Sequence, residues 1–290
     1  MGDNFLRVGL VGAGPWAEAV HGPGIAAHPA TELTAVWARR PEAAAGMGAP
    51  VIADFDELLS TVDAVAFAVP PAIQAEMAIK AANAGKHVIL EKPIADSVET
   101  AVRLVDAVER AGVASMVVFI RRFAPETIQW LDDVQGQSWL GGNARWLSGA
   151  LLGGKYSGSA WRHAGGALVD VGPHVFDLLD AALGPAVEVV AAHHGTADLW
   201  TVVLAHESGA TSTSTLSMFM PVDPSVTDLS VYGDGGYREL TGRATSAQVA
   251  YAALLDDFTG LVRDHRTEHP LNVHRGLMIQ RLLDAVAQKL

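Results

Sequence analysis

Cysteine is absent from this 290-residue chain, which excludes disulfide bonds, thiol nucleophiles and zinc–thiolate centres. The chain also lacks any run of the roughly 18 uninterrupted apolar residues that a membrane-spanning helix needs. Its first twenty residues lack the basic start and apolar run of a secretory signal. These absences predict a cytoplasmic protein that does not enter a membrane.

Basic residues are the minority, with 20 Lys and Arg against 32 Asp and Glu, for a net charge of −12. An acidic surface repels phosphate backbones, so nucleic acid is not expected as the main partner. A dinucleotide is not excluded, because it needs only a helix terminus and one or two local cations. Metal binding has little support in the sequence, and we expect no metal site. The adjacent His193 and His194 fall on a predicted strand and would point to opposite faces.

The first 120 residues alternate between strand-like and helical patterns. The strand-like runs are short, rich in valine and bounded by Gly, Pro or charge, and they cover residues 6–11, 32–38, 64–69, 87–91 and 114–119. Helical spacing covers residues 55–60, 73–84 and 98–111. This alternation predicts an α/β domain with a doubly wound parallel sheet, as in the Rossmann fold.

The pattern changes after residue 120. Helices are predicted over residues 125–134, 172–183, 246–263 and 275–289, and strands over residues 187–192, 199–206, 210–219, 229–232 and 237–240. Successive strands without crossover helices predict an α+β domain with a mainly antiparallel open sheet. We therefore expect a dinucleotide-binding domain over 1–120 and a substrate-binding and oligomerisation domain over 121–290.

A glycine-rich turn, GAGPWA at residues 12–17, follows the first strand. Gly12 permits a tight turn, and Gly14 lets the backbone approach a pyrophosphate that lies at the start of the next helix. Such a turn is a weak signal alone, but the preceding strand supplies the context that a dinucleotide site requires. Pro15 and Trp16 belong to the same expected cofactor contact.

Two arginines follow the second strand, in the order Ala38-Arg39-Arg40. An NAD-selective site has an acidic residue about 20 positions beyond the glycine turn, where it binds the ribose hydroxyls. With Ala38 in that region and two cations after it, the sequence favours NADP over NAD. The alternative is that Arg39 stacks on adenine and Arg40 is solvated, which would suit NAD as well.

The segment Glu91-Lys92-Pro93 ends the fourth predicted strand, at the sheet edge where open α/β folds bind ligands. A lysine there can donate a hydrogen bond to a substrate oxygen and stabilise negative charge on it. The alternative is an exposed lysine without a role.

Asp170 and His174 are four residues apart, a spacing that places two side chains on one face of a helix. Imidazole is suited to proton transfer near neutral pH, and a neighbouring carboxylate would orient it. Asp170 could instead bind a substrate hydroxyl directly. The structural alternative is a capping aspartate and a packed histidine.

Together, the glycine turn, the Glu-Lys-Pro segment and the run GALVDVGPH at residues 166–174 resemble the Gfo/Idh/MocA family of nicotinamide-dependent oxidoreductases over nearly the whole chain. The resemblance implies hydride transfer at a carbinol or carbonyl carbon of a sugar, cyclitol or related polyol. It implies that Lys92, Asp170 and His174 form the reaction centre and that the Lys92–Pro93 peptide is cis.

The resemblance also implies further contacts. Those expected with the cofactor are Val69, Pro70, Glu91 and Lys92, and those expected with the substrate are Lys92, Arg121, Arg122, Trp161, Arg162, Asp170 and His174.

Relatives commonly pair through the carboxyl-terminal sheet, so a homodimer or homotetramer is expected, formed through the face that includes residues 211–218. Two alternatives stay open: a non-catalytic NAD(P)-binding sensor on the same fold, and an NAD-dependent glycosidase.

Overall fold

The structure, a computed structural model, describes residues 5–290, which divide into two compact units. The first unit contains the chain up to Phe123 together with Ser246–Met278, and the second contains Ala124–Thr245 together with Ile279–Leu290. The division after Phe123 is close to the expected one at residue 120. The prediction assigned everything after 120 to the second domain, whereas Ser246–Met278 belongs to the first unit.

A parallel sheet forms the core of the first unit, as the sequence predicts. Its five strands, in the spatial order β2-β1-β3-β4-β5, are β1 (Leu6–Val11), β2 (Thr31–Trp37), β3 (Ala64–Phe67), β4 (His87–Leu90) and β5 (Ser115–Val117). The strands are almost entirely buried, which explains their continuous apolar runs. Because β1, β3 and β4 are neighbours, the segments that follow them meet at one edge of the sheet.

Helices connect these strands. They are α1 (Gly22–Ala27), α2 (Pro41–Ala44), α3 (Phe55–Thr61), α4 (Pro71–Asn83) and α5 (Val98–Ala111). The bounds of α5 follow from its caps: the Ser97 hydroxyl accepts a hydrogen bond from the Thr100 N–H, and Gly112 ends the helix with a φ of 62°. A short π-helix, Ala17–His21, precedes α1. None of the helices in residues 5–290 combines the length and apolarity needed to cross a bilayer.

The carboxyl-terminal part of the first unit consists of α9 (Ala247–Arg263) and the start of α10 (Val273–Gln288). The Tyr251 side chain on α9 is fully buried, and its ring lies 4.7 Å from that of His21. The Tyr251 hydroxyl also forms a 2.9 Å hydrogen bond with His21 Nδ1. This buried contact explains why α9 belongs to the first unit, although no local sequence signal indicates it.

A six-stranded sheet forms the second unit, with the spatial order β11-β10-β6-β9-β8-β7. Its strands are β6 (Trp139–Leu147), β7 (Ala186–Gly195), β8 (Leu199–His206), β9 (Thr211–Ser217), β10 (Val226–Gly233) and β11 (Gly236–Thr241). Only the β6–β9 pair is parallel among these strands, so the sheet is mainly antiparallel, as predicted. The helices α6 (Pro125–Val134), α7 (Ala160–Asp170) and α8 (Gly172–Leu183) complete the unit.

Two elements of the second unit were not predicted, namely β6 and α7. The β6 sequence contains Gly141 and Gly142, which weaken a strand pattern. A Cβ on Gly141 would lie 2.8 Å from the Tyr232 ring and hydroxyl, and one on Gly142 would lie 2.8 Å from the Ser230 carbonyl. The close approach of β10 therefore requires both glycines. The α7 sequence is interrupted by a glycine pair, which hides its helical period.

The chain leaves the second unit at Thr245, where Glu126 of α6 fixes it. The Glu126 carboxylate accepts hydrogen bonds from the backbone N–H groups of Ala244 and Thr245, at 3.0 Å each, and from the Thr245 hydroxyl at 2.5 Å. Burial raises the pKa of Glu126, but these hydrogen bonds, together with one from its own backbone N–H, outweigh burial and hold this pKa below its ordinary value.

We predict that Glu126→Gln lowers the free energy of unfolding by about 1 kcal/mol at neutral pH, because the amide keeps one acceptor oxygen instead of two. A depressed folded pKa contributes stability that is present above the unfolded pKa and is lost as the pH falls through the folded pKa. The difference between the two proteins should therefore shrink below the ordinary pKa of 4.5. Urea denaturation over a pH series measures it.

Glu207→Gln, in the exposed β8–β9 turn, is the control and should change stability little at any pH. An undiminished cost of Glu126→Gln in acid would contradict the assignment of the effect to the carboxylate.

Candidate active site

In the turn after β1, Gly12 and Gly14 have different structural roles. Gly12 has a φ of 121°, and a Cβ there would collide with the backbone of Ala68, so only glycine fits. Around Gly14 no atom lies within 4 Å of an added Cβ. The backbone at Gly14 is thus open to a ligand, as the approach of a pyrophosphate requires. The residues at this turn fit a bound dinucleotide.

The segment Ala38-Arg39-Arg40 follows β2, the strand beside β1. Ala38 is buried, whereas Arg39 and Arg40 are exposed, and Arg40 is the residue before the first turn of α2. Two exposed cations at this corner can interact with a phosphate. Their preference for NADP stays a prediction.

Glu91 forms several hydrogen bonds at the carboxyl edge of the sheet. Its carboxylate accepts hydrogen bonds from the Trp16 indole N–H at 2.7 Å, from His21 Nε2 at 2.9 Å and from the Lys92 backbone N–H at 3.3 Å. Its side chain is only 15% exposed. Trp16 and Glu91, both expected to contact the cofactor, are therefore bonded to each other.

Gln74 on α4 fixes the backbone at Glu91. The Gln74 amide oxygen accepts from the Glu91 N–H at 2.8 Å, and its amide nitrogen donates to the Glu91 carbonyl at 2.7 Å. The same nitrogen lies 3.2 Å from the carbonyl of Ile94. Sequence reasoning assigned no role to Gln74; a glutamine among apolar residues just after a strand is the signal that could have revealed it. The preceding turn, Val69-Pro70, is half-buried, and Pro70 is the residue before α4.

His21 and Tyr251 continue the hydrogen-bond network of Glu91 into the core of the first unit. A carboxylate only accepts hydrogen bonds, so with neutral His21 its Nε2 carries the proton and its Nδ1 accepts from the Tyr251 hydroxyl. Burial, and secondarily the negative charge of Glu91, raise the pKa of Tyr251 well above its ordinary value. The tyrosine therefore keeps the proton that it donates. Sequence reasoning singled out neither residue.

Lys92 comes directly after Glu91 and is half-buried, and the Lys92–Pro93 peptide is cis, as the family resemblance implies. Arg121 and Arg122 lie in the 3₁₀ turn Ile120–Phe123, which ends the first stretch of this unit. Arg121 is buried, at 3% exposure, and Arg122 is half-buried. Their contact with a substrate stays a prediction.

In the second unit, Arg162 is enclosed by aromatic rings and an acid. Its guanidinium lies 4.5 Å from the Trp161 ring centre and 4.8 Å from that of Tyr156, within cation–π range. Its Nε lies 3.4 Å from Asp170 Oδ2, in an ion pair whose side chains are 16% and 9% exposed. The predicted residues Trp161, Arg162 and Asp170 therefore form one cluster, with Tyr156 added by the structure.

His174 lies in the first turn of α8, is 7% exposed and stacks on Trp146 of β6, with ring centres 5.8 Å apart and planes 17° apart. Asp170 ends α7 and His174 lies in α8, and Val171 between them has a φ of −107° and a ψ of −23°, in the right-handed helical region. A role for Asp170 in orienting His174 stays a prediction. Within residues 5–290, no group of three His, Asp or Glu side chains is arranged to hold a metal ion.

Two family models match the chain. One, described as the oxidoreductase family with an NAD-binding Rossmann fold, matches residues 6–119, and the other, the GFO/IDH/MocA C-terminal domain, matches residues 142–239. The first match covers the parallel sheet and the second covers most of the six-stranded sheet.

Curated relatives include a dTDP-3,4-didehydro-2,6-dideoxy-alpha-D-glucose 3-reductase of Streptomyces violaceoruber, 32% identical over 63% of this chain and 56% of the relative. A D-glucoside 3-dehydrogenase of Escherichia coli K12 is 32% identical over 67% of this chain and 58% of the relative. The chain thus spans little more than half the length of these relatives.

Among solved structures, the WlbA dehydrogenase from Bordetella pertussis, in complex with NADH and UDP-GlcNAcA, is 25% identical, with a TM-score of 0.84 over 100% of this chain and 96% of that one. The fold and the two matching family models agree. The chain belongs to the Gfo/Idh/MocA family of oxidoreductases.

Proposed function

We propose that this protein transfers a hydride between a nicotinamide cofactor and a carbinol or carbonyl carbon of a sugar, cyclitol or related polyol. The observation that carries the proposal lies in the first unit. Glu91 accepts a hydrogen bond from Trp16 of the glycine turn and is followed directly by Lys92. One carboxylate therefore ties the expected cofactor turn to the segment that bears the reactive ammonium group.

The cofactor would be held by the glycine turn and by the segments that follow β2, β3 and β4. The residues proposed to contact it are Gly12, Gly14, Pro15, Trp16, Ala38, Arg39, Arg40, Val69, Pro70, Glu91 and Lys92. When bound, the nicotinamide supplies the hydride acceptor in oxidation and the hydride donor in reduction. A cytoplasmic location, where nicotinamide cofactors are plentiful, is part of the same proposal.

Three side chains carry the proton chemistry. In the oxidative direction, His174 accepts the hydroxyl proton and the Lys92 ammonium stabilises the negative charge that develops on the same oxygen. Asp170 orients His174, and Arg162 forms an ion pair with Asp170. In the reductive direction the proton returns from His174 to the oxygen.

A sugar-like substrate suits the cluster in the second unit. Aromatic rings pack well against the apolar faces of a pyranose, and a guanidinium can donate several hydrogen bonds to hydroxyl groups. Trp161 and Arg162 supply both features, and Arg121 and Arg122 are proposed as further substrate contacts. Two of the curated relatives, a dideoxyglucose 3-reductase and a D-glucoside 3-dehydrogenase, are named for sugar substrates, which supports this substrate class.

We predict that Lys92→Met lowers turnover by about 10²- to 10⁴-fold, because it removes the group that stabilises charge on the reacting oxygen. The affinity for NADPH or NADH should be nearly unchanged. Turnover is measured by nicotinamide absorbance on a panel of sugars, cyclitols and their keto forms, and affinity by calorimetric titration.

Lys80→Met is the matched control. Lys80 forms an exposed ion pair with Asp56, and such a pair contributes little to stability. The Lys80→Met protein should therefore keep full turnover. A Lys92→Met protein that retains most of its activity would exclude the proposed role.

We predict that NADPH binds more tightly than NADH and that Arg39→Ala combined with Arg40→Ala removes the difference. The expected preference is about tenfold or more, since charge-assisted bonds to a phosphate contribute roughly 1.5–3 kcal/mol. Calorimetric titration of both cofactors measures the preference. Arg110→Ala, an exposed arginine in the last turn of α5, is the control. Equal affinities in the unmodified protein would contradict the prediction.

We also propose a homodimer, or a dimer of dimers, formed through the face of the six-stranded sheet opposite α8. That face carries Val203 and Thr213, which are paired between β8 and β9. It also carries the ion pair between Arg145 and Asp228, at 2.8 Å, and the carboxylates of Glu188 and Glu239. Small and apolar side chains with few charges suit contact with a second copy.

We predict that light scattering gives at least twice the mass of the 30.4 kDa chain at micromolar concentration, and that Val203→Glu gives the single-chain mass. The introduced carboxylate would have no partner in a face-to-face contact. Ile128→Glu, at an exposed apolar position on α6, should leave the mass unchanged. A single-chain mass for the unmodified protein would refute the dimer.

A further inference from the structure

The helix α7 contains a sharp break at Gly166. Its backbone there has a φ of 60° and a ψ of −158°, far from helical values. The break separates Trp161 and Arg162, on one side, from Asp170 in the final turn. A Cβ on Gly166 would lie 2.6 Å from the Asp198 carboxylate oxygen Oδ1, so the space as well as the backbone angle requires glycine.

The carboxylate of Asp198 occupies that space and bonds to the helix. Its Oδ2 accepts a 2.5 Å hydrogen bond from the N–H of Ala167, the first residue after the break. Its Oδ1 accepts from His194 Nε2 and from the Trp200 indole N–H, both at 2.9 Å. The Asp198 side chain is 15% exposed, so these bonds are partly shielded from water.

The segment that presents Asp198 has an unfavourable backbone. Ala197 has a φ of 56° and Asp198 a φ of 51°, both in the left-handed region that residues with a Cβ seldom adopt. The Ser217 hydroxyl donates to the Ala197 carbonyl at 2.7 Å. Such a conformation persists only where the surroundings fix it, and its presence beside a proposed reaction centre points to a role there.

We propose that Asp198 is a positioning residue for Asp170. By bonding to Ala167, it fixes the angle between the two parts of α7 and so sets the Arg162–Asp170 ion pair, whose partners lie on opposite sides of the break. Its effect on catalysis rests on the proposed function; its effect on the helix does not.

An aspartate is required because three N–H groups point at its two oxygens. An asparagine of the same shape has one acceptor oxygen, so at least one of the three donors loses its partner. Asp198→Asn therefore disturbs the bonding with little change of volume. Asp132→Asn, on the exposed side of α6, makes the same chemical change away from the break and is the control.

The experiment compares amide hydrogen exchange and steady-state kinetics in the full-length proteins. In Asp198→Asn, exchange within residues 161–170 should become at least tenfold faster than in Asp132→Asn. The kcat with a substrate identified in the panel above should fall by about 10- to 100-fold, the range expected for misplacement of a reacting group. The KM for the nicotinamide cofactor should be unchanged, since that site belongs to the first unit.

Ser217→Ala removes the hydroxyl that donates to the Ala197 carbonyl and accepts from the Phe219 N–H, and it should change exchange and kcat in the same direction but less. It provides the test if Asp198→Asn does not fold. Unchanged amide hydrogen exchange in residues 161–170 would overturn the positioning role of Asp198. Faster exchange with an unchanged kcat would show that this positioning does not matter for the reaction. If the unmodified protein turns over no member of the panel, the proposed function fails, and the exchange comparison still decides whether Asp198 fixes α7.

Discussion

The hydrogen bonds to the Glu91 carboxylate are the interaction on which the cofactor half of this protein depends. A carboxylate that is 15% exposed has little contact with water, so its oxygens need hydrogen-bond donors from the protein. Trp16, His21 and the Lys92 backbone supply those donors from the glycine turn, the π-helix and the strand end. The positions of the turn and of Lys92 are thereby determined together.

This requirement also explains an unusual feature of the chain path. His21 is fully buried and needs an acceptor or donor for its second nitrogen, and Tyr251 provides it from 230 positions away. Since burial and the charge of Glu91 raise the pKa of Tyr251, the hydroxyl stays protonated and continues to donate to His21. The return of α9 to the first unit thus completes a polar network that the Rossmann sheet alone would leave unsatisfied.

Much of the fold could be predicted from local pattern. The bounds of α5 follow from Ser97 and Gly112, and the five parallel strands follow from short valine-rich runs. The missed elements have physical reasons. In β6, Gly141 and Gly142 serve the close approach of β10, and in α7 the break at Gly166 interrupts the helical period. In both, glycines required by tertiary contact weakened the local signal.

The residue types of the candidate site could also be predicted from the sequence, but the orientation of their side chains could not. The four-residue spacing of Asp170 and His174 gave no information about the neighbours of each side chain, which lie elsewhere in the sequence. Asp170 pairs with Arg162 across the Gly166 break, and His174 stacks on Trp146.

Orientation in this protein therefore comes from residues distant in sequence. Gln74 holds the backbone of Glu91, Tyr251 fixes His21, and Asp198 bonds to the amide of Ala167, 31 positions earlier. None of these three belongs to a short motif, because each acts through a partner that folding brings near. A motif can thus identify the reacting groups, while the accuracy of their placement depends on polar residues that only the three-dimensional structure connects to them.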